Sequence, residues 1–425
     1  MKRVIHFFRS DRTIKSTTLM VVGQAMANAG AYLFHLFTAR LLVPADFGLL
    51  QSLISFSNIL STPLVAFNTV IAKFVSTYVG KGEAQKIASL YYKLRKYLFI
   101  LLIFGGSLFF IFSRPIMDLL RLDNWLYVFI LDLALFVGLI NALNRATLRG
   151  LSLFLQLTIV QFIESYGKLF VVVIVILMGF GVVGAFGAFV FALVMSLLYM
   201  SYVLYKKIKL TSFHPLPLKA MGGYAIPSSI MTIGIISLYN TDVVLVRHFL
   251  SGHEAGIYGA LSVLGKIIFI GTSRVTVTMF PLVSEAHAKG AHYQHIFIKS
   301  FLYLLTIIGI MIVIYAIAPA AVIRILIGAN YLSAVPFLLP FSIFISLCAV
   351  INLLINFFLS INRTKTVYVV FFGAIIQAVG ILAYHTSISS VITISLIVTA
   401  FITAILFLYY ISIVTKKAVI TSKLI

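Results

Sequence analysis

Residues 332–360 read LSAVPFLLPFSIFISLCAVINLLINFFLS, a run of 29 residues without a single charged side chain. A helix needs about 20 mostly apolar residues to cross the hydrocarbon core of a bilayer. The whole chain has this character, since 62% of its 425 residues are hydrophobic and 10% are charged. An ordinary soluble domain carries roughly 25% charged residues. The sequence therefore predicts a polytopic membrane protein and excludes a soluble enzyme.

Twelve apolar stretches are long enough to span the membrane as helices, which predicts an all-α integral membrane fold. The predicted spans are 17–39, 48–78, 94–112, 125–144, 153–178, 182–204, 221–243, 256–284, 296–318, 332–360, 366–385 and 389–413. The segments between them are short and polar, so any chemistry is expected within or beside the bilayer.

The basic residues are distributed unevenly between the two sides of this predicted topology. If the N-terminus, with five Lys and Arg residues before the first span, is cytoplasmic, the inner segments hold 23 Lys and Arg and the outer segments hold 5. Cytoplasmic loops of membrane proteins carry such an excess. The pattern predicts a multi-pass protein of the cytoplasmic membrane with both termini inside. It also accounts for the net charge of +22 without a nucleic-acid partner.

The chain resembles itself when it is shifted by 208 residues. Leu42 aligns with Leu250 and Gly48 with Gly256, and eight of the 41 positions in residues 42–82 are identical without a gap. We therefore predict two homologous six-span halves, 1–210 and 211–425. Six is an even number, so both halves insert with the same orientation. Transporters built from two such repeats bind their substrates between the halves, near the bilayer midplane.

Polar side chains form stripes along several predicted spans. Gln24 and Asn28 share one face of the first span, and Asn58 and Lys73 belong to a narrow arc of the second. Because polar groups in lipid cost free energy, these faces are expected to point away from lipid. A central water-filled cavity would explain the stripes, and so would hydrogen bonds between packed helices.

Cations within the spans are the sharper signal. Lys266 lies about ten residues into the eighth span, or ~15 Å deep, and Arg274 lies a further ~12 Å toward the cytoplasm. A charge near the midplane costs about 3 kcal/mol and requires compensation by a carboxylate, water or an anionic ligand. Lys266, Arg274 and Lys73 are therefore candidate contacts for an anionic substrate.

Four further polar residues are candidates for coupling or for ion pairs. Glu164 and Lys168 have the i, i+4 spacing of an intrahelical pair, which would either neutralise the fifth span or act as a switch. Asp132 lies alone ~10 Å into the fourth span and could pair with a cation or bind a proton or a sodium ion. Asp242 lies at the outer end of the seventh span, where a local ion pair with Arg247 is expected.

Signals for catalysis and for bound metals are missing from the sequence. There is no phosphate-binding P-loop motif, and His287, His292 and His295 in an inner loop do not have the spacing of zinc ligands. The single cysteine, Cys348, lies in an apolar run. We therefore expect neither an enzyme nor a resident metal or cofactor.

Two segments resemble a known family. Ala39–Leu49, with the sequence ARLLVPADFGL, is similar to the signature that follows the first span of polysaccharide-biosynthesis flippases. These flippases belong to the multidrug/oligosaccharidyl-lipid/polysaccharide exporter (MOP) superfamily. Asn240–Asp242, Glu254–Tyr258 and Phe280–Ser284 resemble the family pattern around spans seven and eight.

The resemblance implies a MATE-like fold of two six-helix bundles around a central cavity. It implies alternating access that carries a polyprenyl-(pyro)phosphate-linked saccharide to the outer leaflet, in a membrane shared with glycan polymerases or ligases. Relatives that move the peptidoglycan precursor have cavity cations on spans one, two and eight. In this chain Lys73, Lys266 and Arg274 fit that role, whereas the first span carries Gln24 and Asn28, which favours another glycan.

Two other functions remain open on the sequence. A cation-coupled multidrug exporter of the same fold would need buried carboxylates, and this chain offers Asp132, Glu164 and Asp242 against four cations within its spans. A membrane glycan polymerase or ligase would be expected to have sizeable loops with an active site. The loops here are short.

Overall fold

The computed structural model describes residues 12–209, 215, 229–290 and 292–422, and all regular structure in that part is helical. Nine helices of the described chain are long and apolar enough to cross a bilayer, and one bent pair would make a tenth. The prediction of an all-α integral membrane protein is confirmed. Lys2, Arg3 and Arg9, and residues 221–228 of the predicted seventh span, lie outside the described residues.

The described part of the first half of the chain, from residue 12 to 209, contains eight helices. They are α1 (Arg12–Leu41), α2 (Pro44–Leu60), α3 (Thr62–Gly80), α4 (Ala84–Ile111), α5 (Ser113–Leu120), α6 (Trp125–Gly150), α7 (Phe154–Leu177) and α8 (Gly181–Lys207). The predicted second span, 48–78, was wrong as one continuous helix, because it is broken at Ser61 between α2 and α3. Pro63 lies in the first turn of α3, a position that tolerates its missing N–H.

From residue 229 onward, the described residues form eight α-helices and a 3₁₀ turn. They are α9 (Ser229–Leu238), α10 (Thr241–Phe249), α11 (Gly252–Ala288), α12 (Gln294–Ile317), α13 (Pro319–Leu326), the turn Ala329–Ala334, α14 (Val335–Ser360), α15 (Thr366–Ala383) and α16 (Ile388–Ser422). The predicted seventh span bends by 44° between α9 and α10 and continues past its predicted end at 243. At the start of α11, Ser251 and Glu254 form a reciprocal capping box.

The chain forms two compact units. One consists of Met1–Val43 with Leu60–Ser229, and the other consists of Pro44–Ile59 with Ile230–Ile425. The sequence predicted a division at residue 210 alone. The structure groups α2 with the C-terminal helices, a feature that the sequence prediction does not contain.

The two units use the same pattern of helix packing. In the first unit α6 packs against α3, α4 and α8, and in the second α14 packs against the corresponding α11, α12 and α16. Likewise, α7 packs against α1 and α8, and α15 packs against α10 and α16. The short helices α5 and α13 each have eight residues and follow equivalent long helices. This correspondence agrees with the repeat predicted from the 208-residue shift.

Gly48 of α2 and Gly256 of α11 lie against each other in the second unit. A Cβ atom on Gly48 would be 2.5 Å from the backbone N of Gly256, and one on Gly256 would be 2.0 Å from the carbonyl O of Pro44. Small residues allow helix backbones to approach this closely. These two glycines are the pair that the 208-residue shift aligns, so repeat-equivalent positions meet.

Candidate functional site

A cavity of about 700 Å³ lies between α11 and α12. Its polar lining consists of Arg274 and Thr278 on α11 and of His295, Lys299, Ser300, Tyr303 and Thr306 on α12. We call the space between these residues the α11–α12 groove. On each helix most of these positions are three or four residues apart, which places them on one face. The remaining lining is mainly apolar, from residues such as Met279 and Ile307.

The groove extends into the predicted membrane from the end of α11 and the start of α12, which the predicted topology places on the cytoplasmic side. Counted from the start of α12, Lys299 is about 8 Å and Tyr303 about 14 Å along the helix. Counted from the end of α11, Thr278 is about 15 Å and Arg274 about 21 Å along the helix. The polar groups therefore lie at successive depths along the groove rather than in one cluster.

The electrostatic character of the groove is positive. Its lining, as far as the described residues form it, contains no Asp or Glu. Within the described part of the chain, Arg274, His295 and Lys299 are exposed and form no side-chain hydrogen bond or ion pair. Glu285, further along α11, is already paired with Lys289. Because cations at membrane depth require compensation, this arrangement suits an anionic ligand.

Lys266, the deeper cation of the same helix, lies outside the groove. Its Nζ donates a hydrogen bond to Oδ1 of Asn240 over 3.2 Å. The Nδ2 of Asn240 in turn donates to the carbonyl O of Ile236, close to the bend between α9 and α10. Lys266 and Arg274 therefore do not share one pocket in this unit.

Asp242 is fully buried, whereas an interfacial ion pair with Arg247 was expected. The hydroxyl of Tyr258 donates to its Oδ2 over 2.6 Å, and the Asp242 carboxylate and the Lys266 ammonium group attract each other. Its Oδ1 has no hydrogen-bond partner. Asp242 therefore belongs to the buried polar network around Asn240 and Lys266, because the bend between α9 and α10 brings it next to α11.

In the first unit, the polar stripe of α1 makes hydrogen bonds to a neighbouring helix. Gln24 donates from Nε2 to Oδ1 of Asn28 over 3.0 Å and accepts from Nε2 of Gln161 on α7 over 2.7 Å. Both α1 side chains are only partly buried. The structure thus supplies the hydrogen-bonding explanation of this stripe.

Glu164 and Lys168 attract each other along α7, as their spacing predicts, and each also has a partner on another helix. Glu164 forms an ion pair with Arg145 on α6. The Nζ of Lys168 lies 4.9 Å from the ring centroid of Phe34 and 5.6 Å from that of Phe189, within the range of cation–π attraction. Arg145 was assigned to an inner loop, but α6 extends past it to Gly150, so the pair forms between two helices.

A second cavity, of about 250 Å³, lies in the first unit beside this ion pair. Arg145, Asn68, Asn141 and Ser61 contribute its polar lining. The Oδ1 atoms of Asn68 and Asn141 are buried and have no hydrogen-bond partner. Both acceptors are buried in the wall of a mostly apolar pocket, where an unpaired polar atom costs free energy.

The remaining predicted residues lie apart from both cavities. The carboxylate of Asp132 lies against α4, where a Cβ on Gly106 would be 3.2 Å from its Oδ2. Lys73 is exposed on α3, and Asn58 is exposed near the end of α2. Asn58 and Lys73 belong to different units.

The sequence prediction placed His295 in an inner loop and did not name Lys299 as a candidate, yet both line the groove. The signal that would have found them is the spacing His295, Lys299, Tyr303 and Thr306, which matches one face of a helix. Gln161, Tyr258 and Asn240 were also missed, because only the fold shows which helices they contact.

The sequence matches a family of known proteins over most of its length. The model of a polysaccharide biosynthesis protein family matches residues 37–336. An uncharacterized membrane protein of Methanocaldococcus jannaschii is 23% identical over 288 residues, which are 64% of this chain and 68% of that protein.

Two solved transporters have a similar fold. An inward-facing multidrug resistance MATE family transporter of the MOP superfamily is similar over 92% of this chain and 96% of its own, with a TM-score of 0.78 and 13% identity. The lipid II flippase MurJ, in an inward closed conformation, is similar over 93% of this chain and 87% of its own, with a TM-score of 0.71 and 12% identity. The predicted MATE-like fold is confirmed.

Proposed function

This chain belongs to the polysaccharide biosynthesis protein family, and we propose that it moves a polyprenyl-(pyro)phosphate-linked saccharide from the cytoplasmic to the outer leaflet. Its multi-pass helical fold is that of membrane transporters and flippases. The fold similarity to a flippase whose substrate is lipid II supports a lipid-linked cargo. In this proposal both termini are cytoplasmic and the protein lies in the cytoplasmic membrane.

The observation that carries the proposal is the guanidinium of Arg274, which has no partner among the described residues and lies in a groove whose described lining contains no Asp or Glu. A phosphate or pyrophosphate group is anionic and must cross a layer of low dielectric constant. A guanidinium group offers it charge-assisted hydrogen bonds, often bidentate ones. A cationic drug would instead need an accessible carboxylate, and the groove has none.

The mechanism in this proposal is alternating access without a chemical reaction on the substrate. Arg274 compensates the phosphate charge, while the polyprenyl chain remains in lipid. Lys266, Lys73, Gln24, Asn28 and Asn58 are further proposed contacts in the course of transport. The flipped saccharide is then the substrate for a glycan polymerase or ligase.

The test is deletion of the gene in the native host, followed by mass spectrometry of extracted lipids. We expect a complete polyprenyl-linked oligosaccharide to accumulate while the surface polymer is lost. Plasmid-borne Arg274→Ala should restore export at least tenfold less well than the wild-type gene at equal protein abundance, and Arg274→Lys should restore part of it.

The matched control is Arg114→Ala, which removes an exposed Arg from the short helix α5, outside the groove. It should restore export fully. Unchanged lipid intermediates together with new drug sensitivity in the deletion strain would favour the multidrug exporter. Export by Arg274→Ala at the wild-type level would remove Arg274 from the site.

A further inference from the structure

The α11–α12 groove offers more than the contact at Arg274. It also has features expected of a site where a lipid phosphate first binds. Helix α12 is largely unburied, with the side chains of Leu302, Tyr303 and Ile310 more than half exposed. In a membrane protein such a helix faces lipid. The groove beside α12 is therefore open to a molecule that arrives laterally from the bilayer.

We propose that a lipid-linked phosphate enters the α11–α12 groove from the cytoplasmic leaflet, binding first at Lys299 and then at Arg274. This inference rests on the proposed function, because it names how that substrate reaches Arg274. Lys299 and Arg274 are about 13 Å apart along the helix direction. A phosphate that lies level with the backbone of one residue is therefore not level with the backbone of the other. Their long side chains can each extend toward a headgroup that lies between them.

Two hydroxyl groups of the groove lie at a depth between those of Lys299 and Arg274. Thr278 and Tyr303 are about 14–15 Å from the cytoplasmic helix ends, between Lys299 and Arg274. In this proposal the Tyr303 hydroxyl donates a hydrogen bond to a phosphate that has left Lys299 and has not yet reached Arg274, whereas the Thr278 hydroxyl donates to the carbonyl O of Arg274 and has to rotate before it can do the same. The apolar lining of Met279 and Ile307 accommodates the first part of the polyprenyl chain.

A basic surface on α4 provides the comparison. Arg95 and Lys96 border a cavity of about 440 Å³ whose described lining comes from α4 alone. That surface has cations near the same predicted membrane face, but within its described lining there is no deeper cation equivalent to Arg274. A phosphate bound there stays hydrated, so Lys96 serves as a charge-matched control for Lys299.

The test measures lipid binding by the purified full-length protein with native mass spectrometry. The probes are a polyprenyl monophosphate, the matching polyprenol and phosphatidylglycerol. We expect the wild-type protein to bind the polyprenyl monophosphate and to discriminate against the other two. Lys299→Glu should weaken this binding at least tenfold, Lys299→Arg should retain it, and Lys96→Glu should leave it within twofold.

Equal loss in Lys299→Glu and Lys96→Glu would overturn the loading site, and so would equal binding of phosphatidylglycerol, which would make the groove an ordinary lipid contact. Failure of the proposed function has a different signature. If gene deletion left the lipid intermediates unchanged while binding still depended on Lys299, the groove would remain a lipid-phosphate site and the flippase assignment would fall.

Discussion

Lys266 and Arg274 lie eight residues apart on α11 but have different surroundings. Arg274 is exposed in the α11–α12 groove, whereas Lys266 donates to Asn240 beside the buried carboxylate of Asp242. The sequence predicted both as substrate contacts, because depth in a span is visible in the sequence and the neighbours of a side chain are not. We expect the buried network of Asn240, Asp242 and Lys266 to stabilise the fold, and this contribution to stability can be measured.

Tyr258→Phe tests that structural role. The substitution removes the hydroxyl that donates to Asp242, and hydrogen bonds inside membrane proteins are worth about 1 kcal/mol. We expect a loss of stability of that size. Asp242→Ala removes the acceptor of that hydrogen bond and also the charge that attracts Lys266, so it should destabilise the protein more than Tyr258→Phe does. Thermal unfolding in detergent measures both.

The matched control for this series is Tyr303→Phe, which removes an exposed tyrosine hydroxyl and should leave stability unchanged. In a double-mutant cycle, Tyr258→Phe with Asp242→Ala should be less destabilising than the sum of the single changes, because both act on one hydrogen bond. Additive losses would show that the two residues do not depend on each other.

The ion pair of Glu164 shows how far residue spacing can be used for prediction. The i, i+4 spacing correctly places Glu164 and Lys168 near one face of α7. Glu164 also attracts Lys168, but its ion-pair partner is Arg145 on α6, and Lys168 lies over aromatic rings from α1 and α8. Helical periodicity fixes a face, but the choice between an intrahelical and an interhelical partner depends on tertiary packing.

At the scale of elements, the approach of α2 to α11 depends on two glycines. Gly256→Ala should lower protein stability and export strongly, because the new Cβ would lie 2.0 Å from the carbonyl O of Pro44 and the helices must separate. Gly48→Ala should have the same direction of effect, since its Cβ would meet the backbone of residues 255 and 256. Protein abundance in membranes and thermal unfolding measure the effect.

Gly105→Ala is the control for these substitutions. Gly105 lies within α4, and nothing lies within 4 Å of a Cβ built on it. Alanine favours a helix over glycine by about 1 kcal/mol, so this variant should be neutral or slightly stabilised. A Gly256→Ala variant as stable as Gly105→Ala would show that the close approach of α2 and α11 is not needed for folding.

The two broken spans mark the limit of element prediction from this sequence. Pro63 was visible in the sequence, but apolar composition alone made 48–78 a single span. The bend between α9 and α10 coincides with Asn240, whose side chain bonds both Ile236 and Lys266. Such contacts stabilise an interruption that hydropathy cannot register, since the residues on either side remain apolar.

At the scale of the whole molecule, the 208-residue shift anticipated the equivalent helix packing of the two units. It did not anticipate that α2 groups with the second unit. That grouping depends on the contact of Gly48 with Gly256 and on Gln51 next to Gly259. A repeat in sequence predicts equivalent elements, whereas contacts between equivalent positions appear only in three dimensions.

The predicted membrane orientation can be measured with single cysteines. The single cysteine, Cys348, is buried, and the Cys348→Ser substitution provides a background without reactive thiols. In intact cells a membrane-impermeant maleimide should label Asp123→Cys, in an exposed outer turn, and should not label Lys81→Cys, in an exposed inner turn. Opening the cells should make Lys81→Cys reactive. The reverse pattern would invert the topology.

Coupling of transport to an ion gradient is a property of the whole molecule. Substitution of Asp132 can test it. We propose that transport uses a proton or sodium gradient and that Asp132, which has no hydrogen bond or ion pair within the described residues, binds the ion. In proteoliposomes an inward-directed gradient of the coupling ion should accelerate flipping of the lipid-linked substrate. Asp132→Asn cannot ionise, so its flipping rate should be equal with and without the gradient.

The control for this experiment is Asp123→Asn, which changes an exposed carboxylate in a turn outside the predicted spans and should retain the full acceleration. Proton and sodium gradients are imposed in separate experiments. Only the gradient of the coupling ion should accelerate flipping by Asp123→Asn and not by Asp132→Asn, which identifies that ion. The same pair of variants separates the flippase from the multidrug exporter. If overexpression conferred drug resistance that Asp132→Asn abolished and Asp123→Asn preserved, the carboxylate would serve a cationic drug, and the anionic substrate inferred from Arg274 would be contradicted.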